Sequence, residues 1–72
     1  MKLGQTYPTV DGNRGTVVYI STKVKPYPVV VEYELLDDKG RVTGVYCGTT
    51  TLEGKDRVDS VASPKDLILK IN

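Results

Sequence analysis

Two stretches of this chain gather residue types that hold anions. Asp11-Gly12-Asn13-Arg14-Gly15 sets two glycines and an asparagine around an arginine. Such a turn can aim successive backbone N–H groups at one spot and hold a phosphate there, with the arginine fork adding charge. The same residues suit a plain hairpin turn, since glycine and asparagine tolerate positive φ. Neither glycine-rich phosphate motif is matched, because no lysine–serine step or second glycine pair follows at the required spacing. Gly48-Thr49-Thr50-Thr51, followed by Lys55 and Arg57, puts three hydroxyls beside two cations. That combination fits a ribose-phosphate or another polar anion, although an exposed edge strand uses threonine and lysine too. Tyr27 lies between Pro26 and Pro28, and Tyr7 precedes Pro8. Aromatics beside prolines build grooves that accept a planar base or a proline-rich peptide. The candidate ligand-binding residues are therefore Asn13, Arg14, Tyr27, Thr49, Thr50 and Arg57.

Other chemistries are poorly supplied. Histidine is absent and Cys47 is the single cysteine, so no serine–histidine or cysteine–histidine pair forms within one chain. Glu32 and Glu34 point the same way from one strand, Asp37-Asp38 lies in a turn, and Asp56 and Asp59 lie in a loop. None has the spacing of a calcium loop, and all read as solvated. No catalytic residue, metal site or cofactor is expected, and the chain reads as non-enzymatic. A formal charge of +1 neutralises few phosphates, which argues against a nucleic-acid partner. The first residues, Met1-Lys2-Leu3-Gly4-Gln5, carry no apolar signal core. No apolar run approaches the roughly 20 residues that span a bilayer. A cytoplasmic location without a membrane partner follows as the expectation, with Cys47 a reduced thiol serving as a small packing residue.

These residues must be positioned by β structure. Valine, isoleucine, threonine and tyrosine make up 27 of the 72 residues, a strong strand bias. Seven glycines and four prolines fall between the apolar stretches. Residues 3–9 read as a first strand, placed at an edge by Pro8. Residues 16–22 read as a second, with Val17 and Tyr19 on one face and Val18 and Ile20 on the other. Two prolines make residues 23–28 a loop. Residues 29–36 form the longest strand, its core face carrying Val29, Val31, Tyr33 and Leu35 and its wet face Glu32 and Glu34. Asp37-Asp38-Lys39-Gly40 is a tight turn, and residues 41–47 return antiparallel, with a bulge expected at Gly44. Residues 48–63 read as loop with one short strand at 50–53. Ser63-Pro64-Lys65-Asp66 suits a single helical turn, and residues 67–71 close as a last strand. Tyr19 and Tyr33 are expected in the core.

The fold class that results is all-β: one domain over residues 1–72, a small SH3-like antiparallel barrel of about five short strands with at most one short helical turn. An OB-type barrel is the alternative. A core this small leaves only a few kcal/mol of net stability, so a homo-oligomer is expected, joined along edge strands or by the valine-rich hairpin face.

Three segments, Tyr7-Pro8-Thr9-Val10-Asp11-Gly12, Tyr27-Pro28-Val29 and Ser63-Pro64-Lys65-Asp66-Leu67, occur in this order. Together they resemble small bacteriophage-encoded SH3-like β-barrel proteins, in which a threonine–x–aspartate–glycine turn precedes a valine-rich strand. Those proteins share a later tyrosine–proline–valine step and a closing serine–x–x–aspartate–leucine stretch. Asn13-Arg14 stands where they often carry two basic residues. The resemblance implies a viral accessory protein and carries over no catalytic residue. The function expected is a binding protein, in its sharpest form an oligomeric sponge for a small anionic, nucleotide-type signal of host defence. The alternative is an SH3-like adaptor that binds and inhibits a host protein.

Overall fold

The computed structural model describes residues 1–57 and 62–69. Strands β1 (Thr6–Pro8), β2 (Arg14–Ile20), β3 (Val29–Leu36) and β4 (Val42–Thr50) form one antiparallel sheet in sequence order. The β-branched residues of β3 alternate as a half-buried strand must: Val29, Val31 and Tyr33 are buried, whereas Glu32 is exposed and Glu34 half-buried. Tyr7, Val17 and Leu67 complete the core, and Met1, Ile20, Tyr46 and Leu69 pack against it. No helix among the described residues is long and apolar enough to cross a membrane.

The chain is all-β, and four of the expected strands form one open sheet. Within the expected fifth, Leu67 makes an isolated bridge to Thr9, while residues 70 and 71 lie outside the described residues. Of the expected short strand at residues 50–53, Thr50 ends β4 and the rest is a turn, closed by the Gly54 N–H donating to the Thr51 carbonyl at 3.0 Å. Gly54 has φ +79, which favours glycine there. Residues 63–66 make a single turn and no helix, with the Asp66 N–H donating to the Ser63 carbonyl at 3.0 Å.

Two bulges change which side chains face inward. β2 pairs Val17 with Val31 but Tyr19 with Val30, so Val18 is the extra residue. An extra residue reverses the alternation beyond it. Tyr19 is therefore on the solvent face, 59% exposed, rather than in the core, and Ile20 packs inward. The second bulge lies next to Gly44: Leu35 pairs with Gly44 and Leu36 with Val42. Leu35, opposite a residue with no side chain, stays 37% exposed and does not join the core. Cys47 lies mid-strand on the outer face and is exposed, not a packing residue.

Gly15 is required by distance rather than by φ. A β-carbon there would sit 2.6 Å from Val31 Cγ1 and 3.1 Å from Leu67 Cδ2. Both are core atoms held in place by their neighbours, and β-branched Val31 has little rotamer freedom. Gly15→Ala should destabilise the fold by about 1–3 kcal/mol through overpacking. Urea denaturation checks this, with Gly40→Ala as the comparison. Gly40 sits in open space at φ +78 and should cost only backbone strain.

Candidate functional site

In an up-and-down meander, the end of β2, the start of β3 and the end of β4 lie at one end of the sheet. The register Ile20–Val29–Thr50 makes this explicit. The chain leaving β2 and the chain leaving β4 must therefore run side by side. Between them lies a cleft of about 680 Å³. Ser21, Thr22, Val24, Lys25, Pro26 and Pro28 line one wall, and Thr51, Leu52, Glu53, Lys55 and Arg57 line the other. Three cations face one carboxylate, and the apolar surface comes from Val24, Leu52 and two prolines. Such a mixture holds an anionic group and a flat apolar group together.

The sequence-expected residues divide. Arg57 is in the cleft wall. Thr49 is exposed on the outer face of the sheet, whereas Thr50 is fully buried and donates its hydroxyl proton to the Thr51 carbonyl at 2.9 Å. Neither lines the cleft. Their neighbour Thr51 does, and its Oγ1 accepts from the Lys55 N–H at 3.1 Å. Tyr27 is half-buried in the loop that forms the other wall, between two lining prolines, but is not itself in the lining. Tyr7 is a core residue, not a groove aromatic: it is 8% exposed, and its hydroxyl donates to Gln5 Oε1 at 2.9 Å.

Asn13 and Arg14 are at the opposite end. The length of β2 separates them from the cleft by about 20 Å at the rise of a β-strand. Asn13 Oδ1 accepts from the Leu36 N–H at 2.8 Å, tying the first turn to the end of β3. Arg14 Nε donates to Glu34 Oε1 at 2.7 Å. Arg14 belongs to β2 rather than to the turn, directly opposite Glu34 in the register. The cross-strand carboxylate occupies the edge of the fork expected to meet a phosphate. In the turn itself the Thr9 hydroxyl donates to Asp11 Oδ1, so the acceptor that would repel an anion lies inside the proposed cradle. This turn serves the fold.

One wall of the cleft is anchored by a buried carboxylate. Asp66 is 4% exposed. It accepts from the Asp56 N–H at 2.7 Å, from the Ser63 N–H at 3.1 Å and from Lys55 Nζ at 3.5 Å. Ser63 Oγ in turn donates to Asp56 Oδ2 at 2.9 Å. Burial opposes the charged form of Asp66, but these N–H donors and the Lys55 ammonium outweigh it and hold the carboxyl below its usual range. Tyr33 nearby moves the other way: burial, and then the charge of Asp56, push its phenol up to about 12. Of the acidic residues read as solvated, Asp56 thus has a structural partner, and Asp59 lies outside the described residues.

The sequence singled out hydroxyls and arginines by type, and so passed over Lys25, Val24 and Leu52. The signal available was topological: loops 21–28 and 51–57 leave the same end of a meander. No protein-family model matches this chain, and no curated protein or solved structure matches it significantly.

The Asp66 anchor makes a pH dependence. Its folded pKa lies below the ordinary 3.8, so its stabilisation is present above that value and is lost as pH falls through the folded pKa. Thermal melts from pH 7 down to pH 2 should show a steep loss below about pH 4. Asp11, held low first by the Thr9 hydroxyl, adds to this slope. Asp66→Asn should cost about 1–3 kcal/mol at neutral pH, because the amide oxygen cannot replace both carboxylate acceptors, and should flatten the acid limb.

Proposed function

We propose that this protein is a non-enzymatic binding protein that sequesters a small anionic ligand of the nucleotide type. The observation that carries this reading is the cleft at the β2–β3 and β4 end, where Lys25, Lys55 and Arg57 surround an apolar surface. Its volume of about 680 Å³ falls in the range that small-molecule sites occupy. In this reading Lys25 and Arg57 take phosphate, beside Lys55, whose ammonium also holds Asp66. Ser21, Thr22 and Thr51 take ribose hydroxyls, and the Val24–Pro26–Leu52 surface takes the base. The absence of histidine supports binding without turnover. The resemblance to small phage proteins adds the setting we propose, a phage or prophage accessory protein acting on a host-defence signal in the bacterial cytoplasm.

We further propose that the sheet curls toward an SH3-like barrel. In support, Leu67 N–H donates to the Gly54 carbonyl at 2.9 Å and Ile68 N–H to the Pro8 carbonyl at 2.8 Å. One short segment therefore touches both the chain beyond β4 and the edge of β1.

The test begins with protein purified from a nucleotide-rich lysate, denatured, and its released small molecules identified by mass spectrometry. A released anionic nucleotide is expected, and calorimetry then measures its binding. Lys25→Ala and Arg57→Ala should each lose about 1.5–3 kcal/mol, the scale of a charge-assisted hydrogen bond. Arg14→Ala should leave affinity unchanged, since Arg14 is committed to Glu34 far from the cleft. Recovery of a host polypeptide with no small molecule would favour an adaptor and reject the sponge.

A further inference from the structure

The two edges of the sheet are finished differently. β1 is three residues long, contains Pro8, and has Ile68 and Leu67 laid against its end. β4 is nine residues long, carries no charge and no proline, and no described strand pairs with its outer side. Edges that stay single are usually short, interrupted by proline, or guarded by lysine. β4 has none of these protections along its length.

Its sequence is also nearly the same in both directions about Tyr46. Gly44 mirrors Gly48, Thr43 mirrors Thr49, and Val45 mirrors Cys47, which is of similar size. Two antiparallel copies related by a two-fold axis pair each residue with its mirror image. A strand that reads alike from its centre outward therefore meets itself in matched pairs.

The backbone points the required way. Alternate residues of an antiparallel ladder turn N–H and C=O toward one neighbour. Val17 donates to the Gln5 carbonyl and accepts from the Gly4 N–H, so its groups face away from β3. Val31 opposite it then turns its own groups toward Gly48 on β4. Following the alternation, Tyr46 and Gly48 bond to β3, while Val45, Cys47 and Thr49 present N–H and C=O outward. The side chains of these three are all exposed.

We infer that the outer edge of β4 is a homodimer interface in which two copies of this chain pair antiparallel about Tyr46. Val45 of each copy lies opposite Cys47 of the other, sharing about four backbone hydrogen bonds. Thr43 and Thr49 extend the ladder as far as the bulge beside Gly44 permits. On the inner face, Tyr46 meets its twin in a non-hydrogen-bonded pair, where side chains approach closest. Gly44 and Gly48 put no side chain beside Tyr46 on β4 itself. The Tyr33 ring lies over Gly48 and Leu35 beside Gly44, and Lys65 Nζ lies over the Tyr46 ring, 5.4 Å from its centroid. Tyr46 already stacks on Tyr33, with centroids 4.9 Å apart, so the aromatic row runs from one copy into the next across a continuous sheet. This inference is independent of any ligand in the cleft, which opens at the end of the sheet rather than along its edge.

Light scattering on the ligand-free protein should give twice the 7.9 kDa chain mass at micromolar concentration. Val45→Lys, at a solvent-face site where folding is little affected, should weaken dimerisation at least about tenfold by placing a charge in the seam. Circular dichroism checks that the variant keeps its sheet. The register is read by oxidation. Val45→Cys faces Cys47 of the second copy at about 5.5 Å between Cα atoms, within disulfide range, and should cross-link readily. The native protein should cross-link poorly, because its two Cys47 residues are diagonal neighbours about 7–8 Å apart. A monomer throughout the concentration range overturns the proposal. So does a dimer indifferent to Val45→Lys, or one in which native Cys47 cross-links as fast as the Val45→Cys variant.

Discussion

A four-stranded sheet has two faces, and 72 residues leave little chain with which to cover either. Here the covering falls to the segment around Leu67 and Leu69, laid over Gly15, Val31 and Tyr33. That segment has no regular ladder of its own and is held by scattered bonds. Val10 and Asp11 donate to the carbonyls of Asp66 and Pro64, and Leu67 and Ile68 donate to those of Gly54 and Pro8. The Asp66 carboxylate fixes the approach by gathering the N–H groups of Asp56 and Ser63. A buried charge is tolerable only when its acceptor sites are filled, as they are here.

The same carboxylate reaches the cleft. By holding Asp56 N–H and Lys55 Nζ it shapes the chain that becomes the second wall. Core and cleft therefore share an anchor, since Asp66 holds both Lys55 of the cleft wall and its neighbour Asp56. The opposite wall, the loop between β2 and β3, is stiffened differently. Ser21 Oγ accepts from the N–H groups of Lys23 and Val24, and two prolines restrict the rest. A site preorganised from both sides spends less binding energy on ordering itself.

The outer face of the sheet tells a second story about charge. Arg14 and Glu34 pair across strands at one end, an exposed contact worth about 0–1 kcal/mol. Its larger effect is on recognition, because it withdraws the arginine of the glycine-rich turn from service to an anion. The cations that line the cleft, Lys25, Lys55 and Arg57, lie instead at the far end, where the loops meet. The middle of β4 carries no charge at all, which leaves its edge open to a partner of matching pattern.

The all-β class, the long hairpin and the inward row of Val29, Val31 and Tyr33 were legible in the sequence, because alternation and turn chemistry act over a few residues. The Asp37–Gly40 turn was legible for the same reason. The fate of Tyr19 was not, since a single bulged residue reverses alternation without altering composition, and the fate of Leu35 was not, since its exposure depends on pairing opposite Gly44. Nor was the commitment of Arg14 to Glu34, which depends on a register set across 20 positions of chain. Arg57 was found by type, but its neighbours Lys25 and Leu52 belong to the cleft only because a meander returns both loops to one end. Local spacing determines which elements form. Which side chains share a site is decided by strand register and loop packing, long-range contacts that no short stretch of sequence contains.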